Sequence, residues 1–357
     1  MNNPYIVGKP VLKPDDFYGR INELKDILSN IKKLNPISLV GERGVGCTSL
    51  LRYITHPKIV EEYLDIEHFR LLYLDFAEFS QCTQKQFWGE ILDEVNKTKG
   101  ELRKNSVINF LGKKSACITD LYESIDKISN NNIKLVFCFD GFDKVKRNTN
   151  FDRYFFDNLR HFITAYSNVT FVTANKRNLG ELDLPRDILT SPFFTYFTHK
   201  RIGFLKEEEA RDLILKPARK QEMDFNEEDV DFVFNIAYCH PFFVQSACRE
   251  LFKCRLEKRK TSGEKLEEND YRRIEKMLYQ NFEVHFNYYW KSLDHDEKRK
   301  LKDICGFHEN TSEEDFTMKT LRHFCLLKER DDRVEPFSSL LRRFCNTQRI
   351  QRDPFGD

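Results

Sequence analysis

The sequence predicts an α/β protein: a parallel sheet covered by helices on both faces, then a helical segment, then a C-terminal winged-helix unit. Three observations carry this. Short, continuously apolar runs alternate with helical patterns over the first half, as strands buried on both faces do. One of those runs ends in a glycine-rich loop that feeds a helix. From Lys206 the pattern turns helical, and it ends in two short strands near the C-terminus.

Each element has its own signal. Phe17-Tyr18-Gly19-Arg20 opens an amphipathic helix with Ile21, Leu24, Ile27, Leu28 and Ile31 at helical spacing. Ile37-Ser38-Leu39-Val40 reads as the first strand, and a helix follows from Thr48 to about Ile54. Further strands are expected at Phe69 to Phe76, Leu135 to Phe139 and Val169 to Thr173, with a last β-rich run from Phe193 to Ile202.

Glu207-Glu208-Glu209 then begins a helix carrying Ala210, Leu213 and Ile214, its acids at the positive end of the helix dipole. A second helix spans about Asn226 to Ala237, and a third starts at His240-Pro241, since proline is tolerated in a first turn. Lys253 to Lys276 is highly charged, contains Thr261-Ser262-Gly263, and reads as a loop or boundary. Glu283 to Arg349 reads as three helices and two short strands around Glu329-Arg330-Asp331-Asp332, the wing. The expected domains are 1–205, 206–282 and 283–357.

Composition narrows the function classes. With 58 basic and 57 acidic side chains in 357 residues, the net charge of +1 makes no global case for nucleic acid or membrane. Aromatics make up 13%, with 32 Phe, which argues for a packed core and against disorder. No apolar run approaches a membrane span, and the N-terminus lacks a signal-peptide layout, so a cytoplasmic protein is expected. The ten cysteines form no CxxC pair, which disfavours zinc ribbons and thioredoxin-type sites. Most lie in apolar segments, as small buried hydrophobes do.

Gly41-Glu42-Arg43-Gly44-Val45-Gly46-Cys47-Thr48, followed by Ser49, sits between strand and helix. In that context a GxxxxGK[ST] loop cradles phosphates. Glycines let backbone N–H groups converge on an anion, and the helix N-terminus adds partial positive charge. The motif and the element order together suggest a P-loop NTPase core followed by a helical segment and a winged-helix domain; the resemblance drawn below implies that the helical segment is a lid. Thr48 is placed to hold Mg²⁺. Cys47 stands where the motif has lysine. A thiol supplies no ammonium, and losing such a charge-assisted bond costs roughly 1.5–3 kcal/mol. A cysteine at a helix N-terminus can also be redox-reactive, although degeneration or specialisation of the loop is the simpler reading.

Lys134-Leu135-Val136-Phe137-Cys138-Phe139-Asp140 is an apolar strand ending in an acid, the way such enzymes bring a carboxylate to Mg²⁺. Hydrolytic members often place a second acid directly after it. Here that position is Gly141, and Asp143 follows two residues later. The candidate catalytic pair is Asp140 and Asp143; the candidate metal pair is Thr48 and Asp140. Keeping the glycines, Thr48 and Asp140 while lacking both lysine and adjacent acid suits binding more than turnover.

These residues resemble the AAA+-related STAND class of P-loop ATPases, in particular its standalone prokaryotic members. The resemblance spans most of the chain. It rests on Asn3-Pro4-Tyr5, Phe17-Tyr18-Gly19-Arg20, the Gly41 to Thr48 loop and the Asp140 strand. It continues through Thr170 to Arg177, Ser191-Pro192-Phe193-Phe194, Glu207 to Arg211 and Cys239-His240-Pro241. It implies bound ATP or ADP, a lid that closes over it, and a winged helix that reports the state. It further implies that Ile6 to Lys9 and Arg20 line the adenine side, that Thr173, Asn175 or Arg177 lie near the γ-phosphate, and that Pro241 packs near the nucleotide. Cys47 and Gly141 depart from the family pattern and leave the fold expected and hydrolysis in question.

The leading expectation is a nucleotide-responsive switch or scaffold, a pseudo-ATPase acting in signalling or defence through protein partners, since no effector motif appears. A second makes the winged helix a DNA reader, with Lys319, Arg322 and His323 facing a groove and Arg330, Arg333, Arg342 and Arg343 meeting phosphates; Glu313, Glu314, Asp315, Asp331 and Asp332 stand against it. A third keeps an active ATPase completed by Asp143 or by a partner. An oligomer is compatible with each.

Overall fold

The computed structural model describes residues 2–100, 118–261, 265–306, 315–330 and 333–350, with no side-chain description for 96–100, 260 and 261. Glu313, Glu314, Asp331, Asp332, Cys117, Ser262 and Gly263 fall outside the described residues. The chain forms two compact units, residues 10–202 and residues 1–9 with 203–357.

The first unit runs α1 (Ile21–Lys33), β1 (Ile37–Val40), α2 (Cys47–Ile54), α3 (Pro57–Tyr63), β2 (Phe69–Asp75), α4 (Gln84–Gly100), α5 (Ile118–Ser129), β3 (Lys134–Asp140), α6 (Arg153–Ala165), β4 (Val169–Asn175), α7 (Arg186–Leu189) and β5 (Thr198–Arg201). All strand pairs are parallel, in the order β2-β3-β4-β1-β5. That order puts β4 between the strand before the glycine loop and the strand ending at Asp140.

Alternation along β3 explains why a strand this apolar carries a site. Leu135, Phe137 and Phe139 enter a core built largely of phenylalanine, with Phe76, Phe87, Phe142, Phe155 and Phe171. Phe137 stacks on Phe171 at 5.2 Å between ring centroids. Successive side chains point to opposite faces, so Val136, Cys138 and Asp140 turn to the other side of the sheet.

Three details differ from expectation. Ile21 is 57% exposed, because only Ile27, Leu28 and Ile31 reach the core face of α1. The run from Phe193 is a 3₁₀ turn over Pro192–Tyr196 before β5; Phe193 and Phe194, adjacent in sequence, are both buried, which a two-residue strand period facing one core does not allow. β5 itself is a largely exposed edge strand, THKR, and its charges suit an unpaired edge.

The second unit continues with α8 (Glu207–Arg219), α9 (Glu227–Ala237), α10 (Pro241–Thr261), α11 (Glu268–Ser292), α12 (His295–Gly306), α13 (Phe316–His323), β6 (Leu327–Arg330), β7 (Arg333–Pro336) and α14 (Ser339–Thr347). Asn226 caps α9 in a reciprocal capping box with Asp229. The boundary drawn at 282/283 falls inside α11. Ile274, Leu278, Phe282 and Phe286 repeat every four residues along it and are all buried, so one apolar stripe crosses that point without a break. Phe243 of α10 packs on Phe282, Phe286 and Phe337 at 4.6, 5.6 and 5.2 Å, joining the helical and winged-helix segments in one core. The β6–β7 hairpin is antiparallel. The helix α14 after it, amphipathic through Leu340, Leu341 and Phe344, was not expected.

Candidate functional site

The glycine loop is shaped by steric demand at Gly41. A Cβ there would stand 2.7 Å from the Ile202 carbonyl oxygen, 2.8 Å from the Cys47 Sγ and 2.8 Å from a Val45 methyl. The Gly41 N–H donates to the Asn175 carbonyl (2.9 Å), so the loop leaves β1 tied to β4. Gly44 and Gly46 both have positive φ, which turns the chain sharply into α2. Glu42 is buried, and its carboxylate accepts from the Arg43 N–H at 2.9 Å; the Arg43 side chain is exposed. Ser49 accepts from the Val11 N–H at 3.1 Å.

Arg20 braces the loop. It sits in the left-handed region at φ 64° as the N-cap of α1, and only 3% of it is exposed. Its guanidinium donates to Glu23 Oε1 (2.9 Å) and to the Val45 carbonyl (2.8 Å). A non-glycine residue held in that conformation has to be over-determined by its surroundings, and those two bonds supply the constraint.

The structure brings Thr48 and Asp140 together: the Thr48 hydroxyl donates to Asp140 Oδ1 at 3.1 Å. The other carboxylate oxygen accepts from Tyr73 at 2.6 Å. Burial raises the Asp140 pKa; the hydrogen bonds from Tyr73 and Thr48 oppose this, Asp75 adds to it, and Lys144 opposes it. Tyr73 lies under the Arg52 guanidinium, 3.6 Å from ring centre to carbon, and its own pKa is raised by burial and by Asp140.

Asp143 lies half-buried in a 3₁₀ turn over Phe142–Arg147. Thr173 and Asn175 are buried and share the β4 face of Phe171, while Asp140 pairs in register with Ala174. Asn175 Nδ2 donates to the Ser38 and Thr173 hydroxyls, both at 2.9 Å, and its Oδ1 is buried without a hydrogen-bond partner. Arg177 is exposed just beyond β4.

Pro241 and Ile6 to Lys9 belong to the other compact unit. Pro241 is the first residue of α10. The Ile6 N–H donates to Gln245 Oε1 at 2.8 Å. Reasoning from sequence missed Tyr73, hidden in an apolar run, and the ion pair between Lys144 and Asp75 (3.2 Å). Parallel registration of Asp75 with Asp140 was the only signal, and it needs the strand pairing.

A glycine loop between β1 and α2, a hydroxyl in its first turn and a strand-end acid two strands away define a P-loop α/β fold with a winged-helix-like C-terminal region. The sequence profile of the Novel STAND NTPase 2 family matches residues 37–299, and the chain belongs to that nucleotide-binding family. No curated protein matches the chain. Among solved structures, the Walker-type ATPase PABY2304 of Pyrococcus abyssi is similar at TM-score 0.62 and 12% identity, over 95% of this chain and 98% of that one. The ORC2 protein of Aeropyrum pernix in ADPNP–ADP complexes gives 0.53 and 10%, over 92% and 94%. Its ADP form gives 0.50 and 11%, over 94% and 92%. These likenesses show the fold. Among the described residues no helix is long and apolar enough to cross a membrane.

Proposed function

We propose that the chain is a nucleotide-held switch that binds ATP or ADP in the Gly41 to Thr48 loop, turns it over weakly or not at all, and acts through a protein partner. The observation that carries this is the composition of the loop and strand end. The glycine loop is present and Thr48 meets Asp140, while Cys47 and Gly141 stand where hydrolysis draws on a cation and an acid. The Aeropyrum pernix protein of similar fold is described with ADPNP and ADP, which agrees with a nucleotide site of this kind.

Mg²⁺ fits the site through Thr48 and Asp140, where it would neutralise phosphate charge. Among the described residues no cluster of three or more His, Cys, Asp or Glu is arranged for a metal ion, so the remaining ligands would be phosphate and water oxygens. Asp140 has to give up its Thr48 hydrogen bond, and any proton it holds, to take that role.

The test is to denature the purified protein, identify released nucleotide by chromatography, and titrate ATP and ADP with and without Mg²⁺. Stoichiometric nucleotide supports the switch. No copurifying nucleotide, together with no binding at millimolar concentration, overturns it.

A second reading, duplex DNA binding by the winged helix, is favoured by one feature of the wing. Arg330 and Arg333 are both exposed and directly opposite across the hairpin, a like-charge pairing that an anion would relieve. Further basic residues have partners within the unit: Arg322 with Glu329, Arg342 with Glu335, and Arg343 over Tyr279. Duplex affinity that falls steeply between roughly 50 and 200 mM salt supports this reading; salt-insensitive or absent binding overturns it.

A further inference from the structure

The lysine missing at position 47 has a counterpart at the other end of the site. Gly141 follows Asp140 with φ +60°, and a Cβ built on it would stand 2.8 Å from both Cε and Nζ of Lys144. The Lys144 side chain therefore folds back over the spot where hydrolytic P-loop proteins carry their second acid. Its ammonium pairs with Asp75 Oδ1 at 3.2 Å, and both side chains remain about a third exposed, 31% and 30%. Asp75 is the register partner of Asp140 on the adjacent strand, and the Lys144 charge acts on Asp140 directly. A cation thus stands at the C-terminal ends of β2 and β3, the edge of an open parallel sheet where ligands bind.

Resting on the nucleotide-binding reading, we propose that Lys144 supplies the terminal phosphate of bound ATP with the ammonium that Cys47 cannot, approaching from the Asp140 side of the loop. Three physical points support the transfer. Lysine is a compact charge on a flexible four-carbon stem, able to swing from one anion to another. A partly exposed ion pair such as Lys144–Asp75 is weakly held, so exchanging that carboxylate for a more highly charged phosphate is favourable. Glycine at 141 is what leaves room for the lysine, since any side chain there meets its tip. The P-loop resemblance implies that the residue after the strand-end acid faces the water that attacks the γ-phosphate; on that reading a cation at that spot addresses ATP and spares ADP. The same cation in place of an acid leaves that water without a base. Lys144 is thus a specificity-determining residue, favouring retention of ATP over its cleavage.

The experiment is calorimetric titration of ATP and of ADP, each with Mg²⁺, into the full chain, Lys144→Met and Asp75→Asn. Lys144→Met is expected to weaken ATP binding by roughly tenfold or more, the size of one charge-assisted hydrogen bond, and to leave ADP binding within about twofold. Asp75→Asn releases the ammonium and is expected to tighten ATP binding alone. An unchanged ratio of ATP to ADP affinity in both variants, with the wild type binding nucleotide, overturns the proposal and leaves the switch standing. Failure of the wild type to bind either nucleotide overturns both. Should Lys144→Met lose its far-ultraviolet dichroism, the ratio measured on Asp75→Asn decides the matter.

Discussion

Thr48 and Asp140 lie 92 positions apart in sequence and 3.1 Å apart between hydroxyl and carboxylate. The strand order makes this possible: β4 separates their strands, and the loop after β1 carries α2 over the face to which Asp140 points. Tyr73 closes the other side of the carboxylate, so the acid is held on both oxygens inside a site that lacks the motif's lysine cation at position 47.

Restoring that cation is the first prediction. Cys47→Lys is expected to raise ATP affinity tens- to hundredfold, matching about 1.5–3 kcal/mol for a charge-assisted bond, as read by calorimetry. The Cys47 thiol already folds back toward Gly41, where a longer chain has to extend into the loop. No gain would mean that the cradle does not hold phosphate.

Asp140 makes a pH-dependent prediction. Burial raises its folded pKa above the ordinary 3.8, so its proton is bound more tightly in the folded state. The associated stability is present below pH 3.8 and is lost as pH rises through the folded value. Asp140→Asn should therefore melt at a higher temperature than wild type at pH 7, with the gap narrowing toward acid, as followed by scanning calorimetry. The same variant should lose any Mg²⁺ dependence of nucleotide binding.

Two glycines should respond differently to alanine. At Gly41 the added methyl meets a backbone carbonyl at 2.7 Å, which cannot yield, and a loss of about 1–3 kcal/mol is expected. At Gly141 the methyl meets the movable end of Lys144, so the cost is the displaced lysine together with the left-handed backbone, about 1–2 kcal/mol. Denaturant titration separates the two when Lys144→Ala is added: it should ease Gly141→Ala and leave Gly41→Ala unchanged.

In the helical unit, Asp229 is 0% exposed. It accepts from Tyr271 at 2.7 Å, pairs with Arg255 and completes the capping box of α9. Asp229→Ala leaves a buried guanidinium without its carboxylate and should cost about 3–5 kcal/mol, measured as the unfolding of that unit in denaturant. An effect below about 1 kcal/mol, the range of an exposed ion pair, would show that water reaches the cluster.

The sequence by itself determined the local half of this protein. Glycine spacing, an apolar run before it and Thr48 after it specify a phosphate loop, because those constraints act within a few residues. The acid ending β3 and the proline opening α10 are legible for the same reason. What tertiary structure decided is which distant side chains meet. The register that sets Asp75 beside Asp140, Tyr73 on the far carboxylate oxygen, Lys144 folded over Gly141 and Arg20 on the Val45 carbonyl all depend on strand order and on turns between elements. Phe193 and Phe194 read as strand and fold as a 3₁₀ turn, because burying two neighbouring rings in one aromatic core outweighs local β preference. Residues 274 to 286 likewise form one helix across an expected boundary, since a continuous apolar stripe on α11 holds two segments to a single core.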